Sequence, residues 1–174
     1  MNLRCDLHLN GGNRRVLIAG KDEETPDHLA LRLAAAALFF DREPALEVGP
    51  KRPAAEGFEY YPDLLVTEPD GYPELWIECG NTATNKLTKV IRRFSRARVI
   101  VIREGHEEAR RFRKLLERDV PKSGKIEIWG WPAEKFREWA AALKETNSLI
   151  GEASGRTINA VLNETPFDVT LEIF

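Results

Sequence analysis

A run of four apolar residues between two arginines constrains the fold more than any other segment of this sequence. Arg98 and Arg103 enclose Val-Ile-Val-Ile, and a continuous β-branched run is typical of a strand that is buried on both faces. Strands of that kind belong to parallel sheets, which are covered by helices on both sides. The run therefore predicts a domain in which helices flank a parallel strand.

Helical and strand patterns alternate around this run. Apolar side chains at helical spacing predict a helix over 83–95, and a charged helix is expected over 106–118. A strand at 126–131 and a helix over 132–147 continue the alternation. The order predicts an α/β fold with a mixed, α+β type of sheet.

The remaining elements complete the predicted domain. Turn residues at 10–13 separate two strand patterns and predict an N-terminal hairpin, and the tail, 157–174, is expected to form a closing hairpin. Between them, Thr25 followed by Pro26 has the chemistry of a helix start, and that helix should run to about Phe40. A loop with a short strand at 45–48 follows, and then strands at 64–66 and 75–77 around a Pro-Asp-Gly turn.

Length, charge and cysteine content exclude several classes of protein. The 174 residues fit one domain, residues 1–174, and 43% apolar composition is too high for a disordered chain. A net charge of −2 gives no global basic field, so nucleic-acid binding would need a local patch. Two cysteines make no disulfide framework, and the longest apolar stretch, 29–40, is too short to span a bilayer. The N-terminal residues lack a secretory apolar region, so we expect a cytoplasmic protein without membrane contact.

Two carboxylates in neighbouring strands carry the chemistry. Asp63 opens one predicted strand and Glu78 lies near the end of the next, so the hairpin between them should bring both together. Two carboxylates held close repel, and a divalent cation such as Mg²⁺ or Mn²⁺ relieves that repulsion. The alternative is that Asp63 caps a strand start while Glu78 is an edge carboxylate in solvent.

The surroundings of Glu78 favour the metal site. Leu75-Trp76-Ile77 precedes it, and an acid in such an interior strand breaks the pattern. The next helix carries Lys86, Lys89 and Arg93 along one ridge, where a cation near a metal-bound phosphate could stabilise developing charge. A solvated basic face is the alternative, and it is the preferred interpretation for the arginines of this helix, although Arg93 stays a candidate substrate contact beside Lys86.

The first helix contributes a second set of candidates. Glu24, His28 and Arg32 recur at i+4 spacing, so a helix face directed at the carboxylates would add an acid and an imidazole. His28 is then a candidate substrate-binding residue. The alternative is that the acids at this helix start only complement the helix dipole.

Four segments together resemble a known family. ETPDHLALRL (24–33), YPDLLV (61–66), LWIECG (75–80) and the lysine-bearing helix at 86–93 resemble the YaeQ family of small bacterial proteins. That family is placed in the PD-(D/E)XK nuclease superfamily, whose restriction-endonuclease-like core has the order αβββαβ. The predicted elements from 26 to 103 follow the same order.

The resemblance implies roles for individual residues. Asp63 is the aspartate of the PD half-motif and Glu78 is the acid of the second half-motif, both as metal ligands. The lysine expected next is replaced by Gly80, and the resemblance implies that a lysine on the following helix takes over, with Lys89 first and Lys86 second. Glu24 corresponds to the acid on the first core helix.

Two functions remain open at this point. The first is a Mg²⁺-dependent phosphodiesterase or nuclease acting on DNA or RNA, with Asp63, Glu78, Lys89 and Glu24 as catalytic residues. The second is a non-catalytic module on a nuclease-like fold that binds nucleic acid or a protein partner. The missing lysine at position 80 favours the second function, and the acid inside an apolar strand favours the first.

Overall fold

The computed structural model describes residues 1–174 and contains two five-stranded sheets and four α-helices. The strands have these bounds: β1 (Asn2–Leu9), β2 (Gly12–Ala19), β3 (Leu64–Thr67), β4 (Pro73–Cys79), β5 (Arg98–Arg103), β6 (Ile126–Gly130), β7 (Thr146–Ser154), β8 (Thr157–Leu162), β9 (Thr165–Thr170) and β10 (Glu172–Ile173). The helices are α1 (Pro26–Leu38), α2 (Thr84–Arg93), α3 (His106–Asp119) and α4 (Ala133–Ala142). Short 3₁₀ turns lie at Phe40–Arg42 and Ser123–Lys125.

The first sheet has the strand order β3-β4-β5-β6-β10 and carries the candidate site. β4, β5 and β6 are parallel, while β3 and β10 are antiparallel edge strands. The apolar run of β5 is fully buried, with Val99 and Val101 facing α2 and α3 while Ile100 and Ile102 face α1. The predicted mixed fold with a doubly covered parallel strand is therefore confirmed.

The second sheet has the order β2-β1-β7-β8-β9 and joins the two ends of the chain. β1 pairs in parallel with β7, and β8 and β9 form the predicted C-terminal hairpin. Helix α1 lies between the two sheets, and every residue from Leu29 to Leu38 is buried. Five alanines in this stretch allow both sheets to approach the helix closely. No helix of the structure has the length and apolarity that a membrane crossing requires.

Local chemistry explains where α1 begins. The Oγ1 of Thr25 accepts a hydrogen bond from the His28 amide at 3.2 Å, and Pro26 occupies the first helical position. The predicted start is therefore confirmed. It fixes His28 in the first turn, at the end of the helix that faces the first sheet.

Three predicted boundaries are wrong: the strand at 45–48, the end of the last helix and the end of the closing hairpin. The strand expected at 45–48 is a single β-bridge between Ala45 and Leu65, because the prolines nearby interrupt regular pairing. The last helix ends at Ala142 instead of 147, since the Asn147 side chain binds the backbone of Lys144 and turns the chain into β7.

The closing hairpin also ends earlier than expected. β9 ends at Thr170, and β10 then joins the other sheet beside β6 instead of continuing the hairpin. Leu171, which is fully buried, and the Phe174 carbonyl, which accepts hydrogen bonds from Arg113, hold the last residues there. The C-terminus therefore ties both sheets together.

Candidate functional site

Strands β3 and β4 place Asp63 and Glu78 next to each other. Leu64 pairs with Ile77 in the antiparallel β3–β4 pair, so Asp63, which precedes Leu64, lies opposite Glu78, which follows Ile77. The Asp63 amide donates to the Ile77 carbonyl at 3.0 Å, which extends the pairing by one residue. Both carboxylates therefore lie where β4 ends, and Glu78 also pairs with Val101 of β5.

Glu78 is a buried acid with two donors on one oxygen. Its residue exposure is 3%, and Oε1 accepts a hydrogen bond from the Trp76 indole at 2.8 Å. The Nζ of Lys86 lies 2.6 Å from the same oxygen. Burial raises the pKa of Glu78 to about 7; the charge of Asp63 adds to this rise, and Lys86 opposes it. Near neutral pH this carboxyl is therefore poised between its two protonation states.

Asp63 is held from the other side, by the chain after β4 and by α1. Its Oδ2 accepts a hydrogen bond from the Cys79 amide at 2.8 Å and lies 3.2 Å from the Nε2 of His28. Burial alone would raise the pKa of Asp63, but contact with His28 and the Cys79 amide lower it below its usual value. Asp63 is therefore the ionised member of the pair at neutral pH.

His28 bridges Asp63 and Glu24. Its Nδ1 lies 2.9 Å from a carboxylate oxygen of Glu24, and its Nε2 faces Asp63 without the alignment of a good hydrogen bond. Burial opposes the charged imidazole, but the two carboxylates outweigh it and raise the pKa of His28. On the far side of Glu24, Arg32 binds this carboxylate at 3.1 Å, and both side chains are at most 5% exposed.

Of the lysines on the basic ridge of α2, Lys86 contacts the carboxylate of Glu78, whereas Lys89 lies on the surface away from both acids. Lys86 also donates to the Tyr61 carbonyl at 2.8 Å, whereas Lys89 binds Glu59 at 2.7 Å on the surface. The expectation that Lys89 faces the acids is therefore corrected in favour of Lys86. Arg93 is exposed at the end of α2 and makes no side-chain hydrogen bond or salt bridge.

Gly80 occupies the position where the resemblance places a lysine. Its φ of +75° is left-handed, and a Cβ there would lie 3.6 Å from a Leu31 methyl and 3.9 Å from the His28 ring. This conformation favours glycine because it turns the chain sharply from β4 toward α2. A side chain at position 80 would therefore point at His28, while Lys86 approaches Glu78 from α2.

Each carboxylate of the pair has one oxygen that is free to coordinate a divalent cation. No residue donates a hydrogen bond to Asp63 Oδ1 or Glu78 Oε2, because the contacts above use the other oxygen of each group. Mg²⁺ is commonly held by one or two carboxylates, with water and substrate phosphate completing its shell. The structure contains no cluster of three or more His, Cys, Asp or Glu side chains arranged around a metal position. The pair therefore fits a magnesium site that substrate and water complete.

Two clefts border this site, on either side of the Asp63–His28 contact. One, of about 550 Å³, is lined by Asp63, Arg32 and the loop around Pro50. The other, of about 330 Å³, is lined by His28, Glu24 and the turn at Gly80. A third cleft of about 580 Å³ lies at the opposite end of β5, beside Arg98 and Trp129, so it is separate from the carboxylates.

Two contacts of the site were not anticipated from the sequence, namely the indole of Trp76 on Glu78 and the buried Arg32–Glu24 pair. The first had a signal, since residues two apart on a strand share a face. The second depends on how α1 packs, which periodicity does not give. Lys86, the second choice for the missing lysine, contacts the same Glu78 oxygen as the indole.

Comparisons with known proteins agree on one family. The model of the family described as YaeQ protein matches residues 12–170. The crystal structure of YaeQ protein from Xanthomonas axonopodis pv. citri is similar with a TM-score of 0.73 and 19% identity, covering 99% of this chain and 96% of that one. The YaeQ protein from Pseudomonas syringae has a TM-score of 0.71 and 20% identity, covering 99% and 94%. A comparison with curated proteins finds no match.

Proposed function

Since this chain belongs to the YaeQ family, we propose that it is a cytoplasmic, metal-dependent phosphodiesterase that cleaves DNA or RNA. The proposal includes a restriction-endonuclease-like core of the PD-(D/E)XK type, formed by α1, β3, β4, α2 and β5. Support comes from the Pro62-Asp63 dipeptide at the start of β3 and the acid of β4 at its end. The parallel β4–β5 pair and the helix between them fit the same core.

One observation carries the proposal: a buried glutamate adjoins a second carboxylate and a lysine at the end of a parallel strand. Glu78 has 3% exposure, and a carboxylate with that burial is costly unless it is paired or holds a metal. A purely structural ion pair would not need Asp63 beside it, because the second negative charge makes ionisation of Glu78 harder.

Each residue has a separate role in this proposal. Asp63 and Glu78 would hold Mg²⁺ or Mn²⁺, which when bound supplies Lewis-acid polarisation of the phosphate and a more acidic water. Lys86 would place its ammonium beside the scissile phosphate and stabilise the negative charge that develops there. His28 keeps Asp63 ionised and Glu24 favours the charged form of His28, so both act as positioning residues.

Metal binding tests the proposal without a guess about substrate. We would titrate Mn²⁺ into wild type, Glu78→Gln and the control Glu117→Gln by calorimetry, with each fold checked by circular dichroism. Glu117 is exposed on α3 and makes no salt bridge. We expect binding to wild type and to the control, and its loss in Glu78→Gln. Metal-dependent cleavage of DNA or RNA that survives in both Glu78→Gln and Asp63→Ala would contradict the assignment.

A second function is favoured by the way the carboxylates are already neutralised. His28 faces Asp63 and Lys86 faces Glu78, so each acid has a cationic partner of its own. Such a site could serve as a binding module for nucleic acid or protein without catalysis. This alternative predicts no cleavage with Mg²⁺ or Mn²⁺, together with nucleic-acid binding that is unchanged in Glu78→Gln.

A further inference from the structure

The cleft beside Asp63 has a rim of free cations. Lys21, Lys51 and Arg52 line it, all three are exposed, and none forms a salt bridge. Glu47 is the only acid that lines the cleft besides Asp63. In a chain with net charge −2, three unpaired cations around one cleft form a local positive patch.

Arg32 builds the wall of this cleft. Its guanidinium donates to the Ala19 carbonyl at 2.9 Å and to the Leu46 carbonyl at 3.0 Å, joining the end of β2 to the loop after α1. Gly49 and Arg52 then exchange two backbone hydrogen bonds, at 3.1 and 3.0 Å, which close a tight turn. The rim is therefore preformed, so little ordering is needed when a ligand binds.

The cleft on the other side of the site has the opposite charge. Four acids line it: Glu23, Glu24, Asp27 and Glu104. Phosphate groups are repelled by such a surface and attracted by the basic rim. The charge distribution therefore gives a polyanion one direction of approach to Asp63.

The size of the basic cleft restricts the ligand further. A volume of about 550 Å³ lies in the range that accommodates one small molecule. A nucleotide of an unpaired strand fits such a space, whereas a base inside a duplex first has to leave its stack. Proteins that bind single strands without sequence preference combine a basic groove along the phosphate backbone with stacking on aromatic side chains. This cleft supplies the basic part and has no aromatic lining.

We infer that the cleft between Lys21 and the 49–52 turn binds the backbone of a single-stranded polynucleotide, with one nucleotide inside and its phosphates on Lys21, Lys51 and Arg52. The inference deepens the proposed function, on which it rests for the chemistry at Asp63. Strand binding itself requires neither metal nor cleavage, so the two ideas fail separately.

The experiment measures binding of labelled oligothymidine, oligouridine and an annealed DNA duplex by fluorescence anisotropy, in EDTA, over a range of salt. The test variant carries Lys21→Gln, Lys51→Gln and Arg52→Gln. The control carries Arg111→Gln, Lys114→Gln and Lys144→Gln, which removes the same charge from exposed cations on α3 and after α4 that have no salt bridge. A third variant, Lys21→Arg, Lys51→Arg and Arg52→Lys, keeps the charge.

We expect wild type, the control and the charge-keeping variant to bind single strands more tightly than the duplex. In the test variant, the slope of log K against log salt should flatten by about two units, and the affinity at about 0.1 M salt should fall roughly a hundredfold. Equal losses in test and control variants, duplex binding as tight as strand binding, or no binding by wild type would each overturn the inference. Intact Mn²⁺ binding in that case would leave the proposed metal site standing.

Discussion

At the scale of single residues, each acid of the site contacts a cation, and Glu24 contacts two, His28 and Arg32. Lys86 meets Glu78, His28 meets Asp63 and Arg32 meets Glu24. Each pairing compensates part of the cost of burying charge. The two acids differ in protonation, because burial raises the pKa of Glu78 to about 7 against the effect of Lys86, whereas His28 and the Cys79 amide hold the pKa of Asp63 below its usual value.

The two lysines of α2 give the first prediction. If Lys86 stabilises the transition state, Lys86→Gln should lower metal-dependent cleavage by about a hundredfold to a thousandfold. Lys89→Gln should keep most of the activity, because Lys89 binds Glu59 at the surface. Single-turnover rates for both variants, with circular dichroism as the check on folding, decide between them. The reverse order of losses would restore the assignment made from sequence.

The second prediction concerns the pH dependence of stability through His28. Its folded-state pKa is raised above the usual histidine value of 6.5 despite burial, because Asp63 and Glu24 favour the charged ring. The stabilisation from protonated His28 is therefore complete below about pH 6.5 and lost as pH rises through the folded-state pKa. Urea denaturation measures the free energy of unfolding of wild type and of His28→Gln. The advantage of wild type over His28→Gln should shrink as the pH rises.

Nuclear magnetic resonance titration supplies the matching control. The pKa of His28 should fall in Asp63→Asn, which removes one of its two carboxylate partners. It should stay unchanged in Glu59→Gln, since Glu59 binds Lys89 and does not touch His28. A His28 pKa that is the same in wild type and Asp63→Asn would show that the ring does not sense this carboxylate.

At the scale of elements, the connection from β4 to α2 decides which side chains meet. The strand ends at Cys79, Gly80 adopts a left-handed conformation, and α2 begins at Thr84. This short turn brings the first turn of α2 back over the sheet, so Lys86 reaches Glu78. A substitution at Gly80 would therefore first disturb the backbone of this turn, and through it the contact between Lys86 and Glu78.

Substitution of Gly80 tests the strain directly. Gly80→Ala should lower the free energy of unfolding by about 1–2 kcal/mol, because a side chain is disfavoured in the left-handed region even where space exists. Gly124→Ala is the control, since its Cβ would meet nothing within 4 Å and its φ is not positive. Urea denaturation measures both changes. A loss at Gly124 as large as that at Gly80 would rule out the conformational explanation.

At the scale of the whole molecule, α1 couples the two sheets. Its alanine-rich stretch is buried by both, and the Trp139 indole of α4 donates to the Ala30 carbonyl at 3.0 Å inside this layer. The C-terminal residues pass from the second sheet to the first. Neither sheet can therefore lose its packing without exposing α1.

This coupling predicts one cooperative unfolding transition for residues 1–174. Far-ultraviolet circular dichroism and tryptophan fluorescence should give the same urea midpoint. Trp76 packs in the layer of α2 and α3, whereas Trp129, Trp131 and Trp139 pack around α1. The Trp76→Phe variant therefore keeps only the three tryptophans that pack around α1. Its fluorescence midpoint should match its own circular dichroism midpoint. Two separated midpoints would mean that the sheets unfold as independent units.

The sequence by itself determined most elements and the position of the acids. The run at 99–102 required a doubly covered strand, Thr25-Pro26 set the start of α1, and the Pro-Asp-Gly turn set the β3–β4 register that aligns Asp63 with Glu78. These features depend on local rules, namely side-chain period, capping and turn chemistry. Local rules are therefore sufficient wherever partners are neighbours in the chain.

Only the tertiary structure decided the partners of those acids and the grouping of the strands. Lys86 and Lys89 lie on one ridge and differ only in how α2 rests on the sheet, which no periodicity reports. β7 escaped prediction because its partners, β1 and β8, include a strand more than a hundred residues away, and polar Asn147 occupies a buried position. The basic cleft likewise joins Lys21 to Arg52 through Arg32, because packing brings together side chains that sequence distance separates.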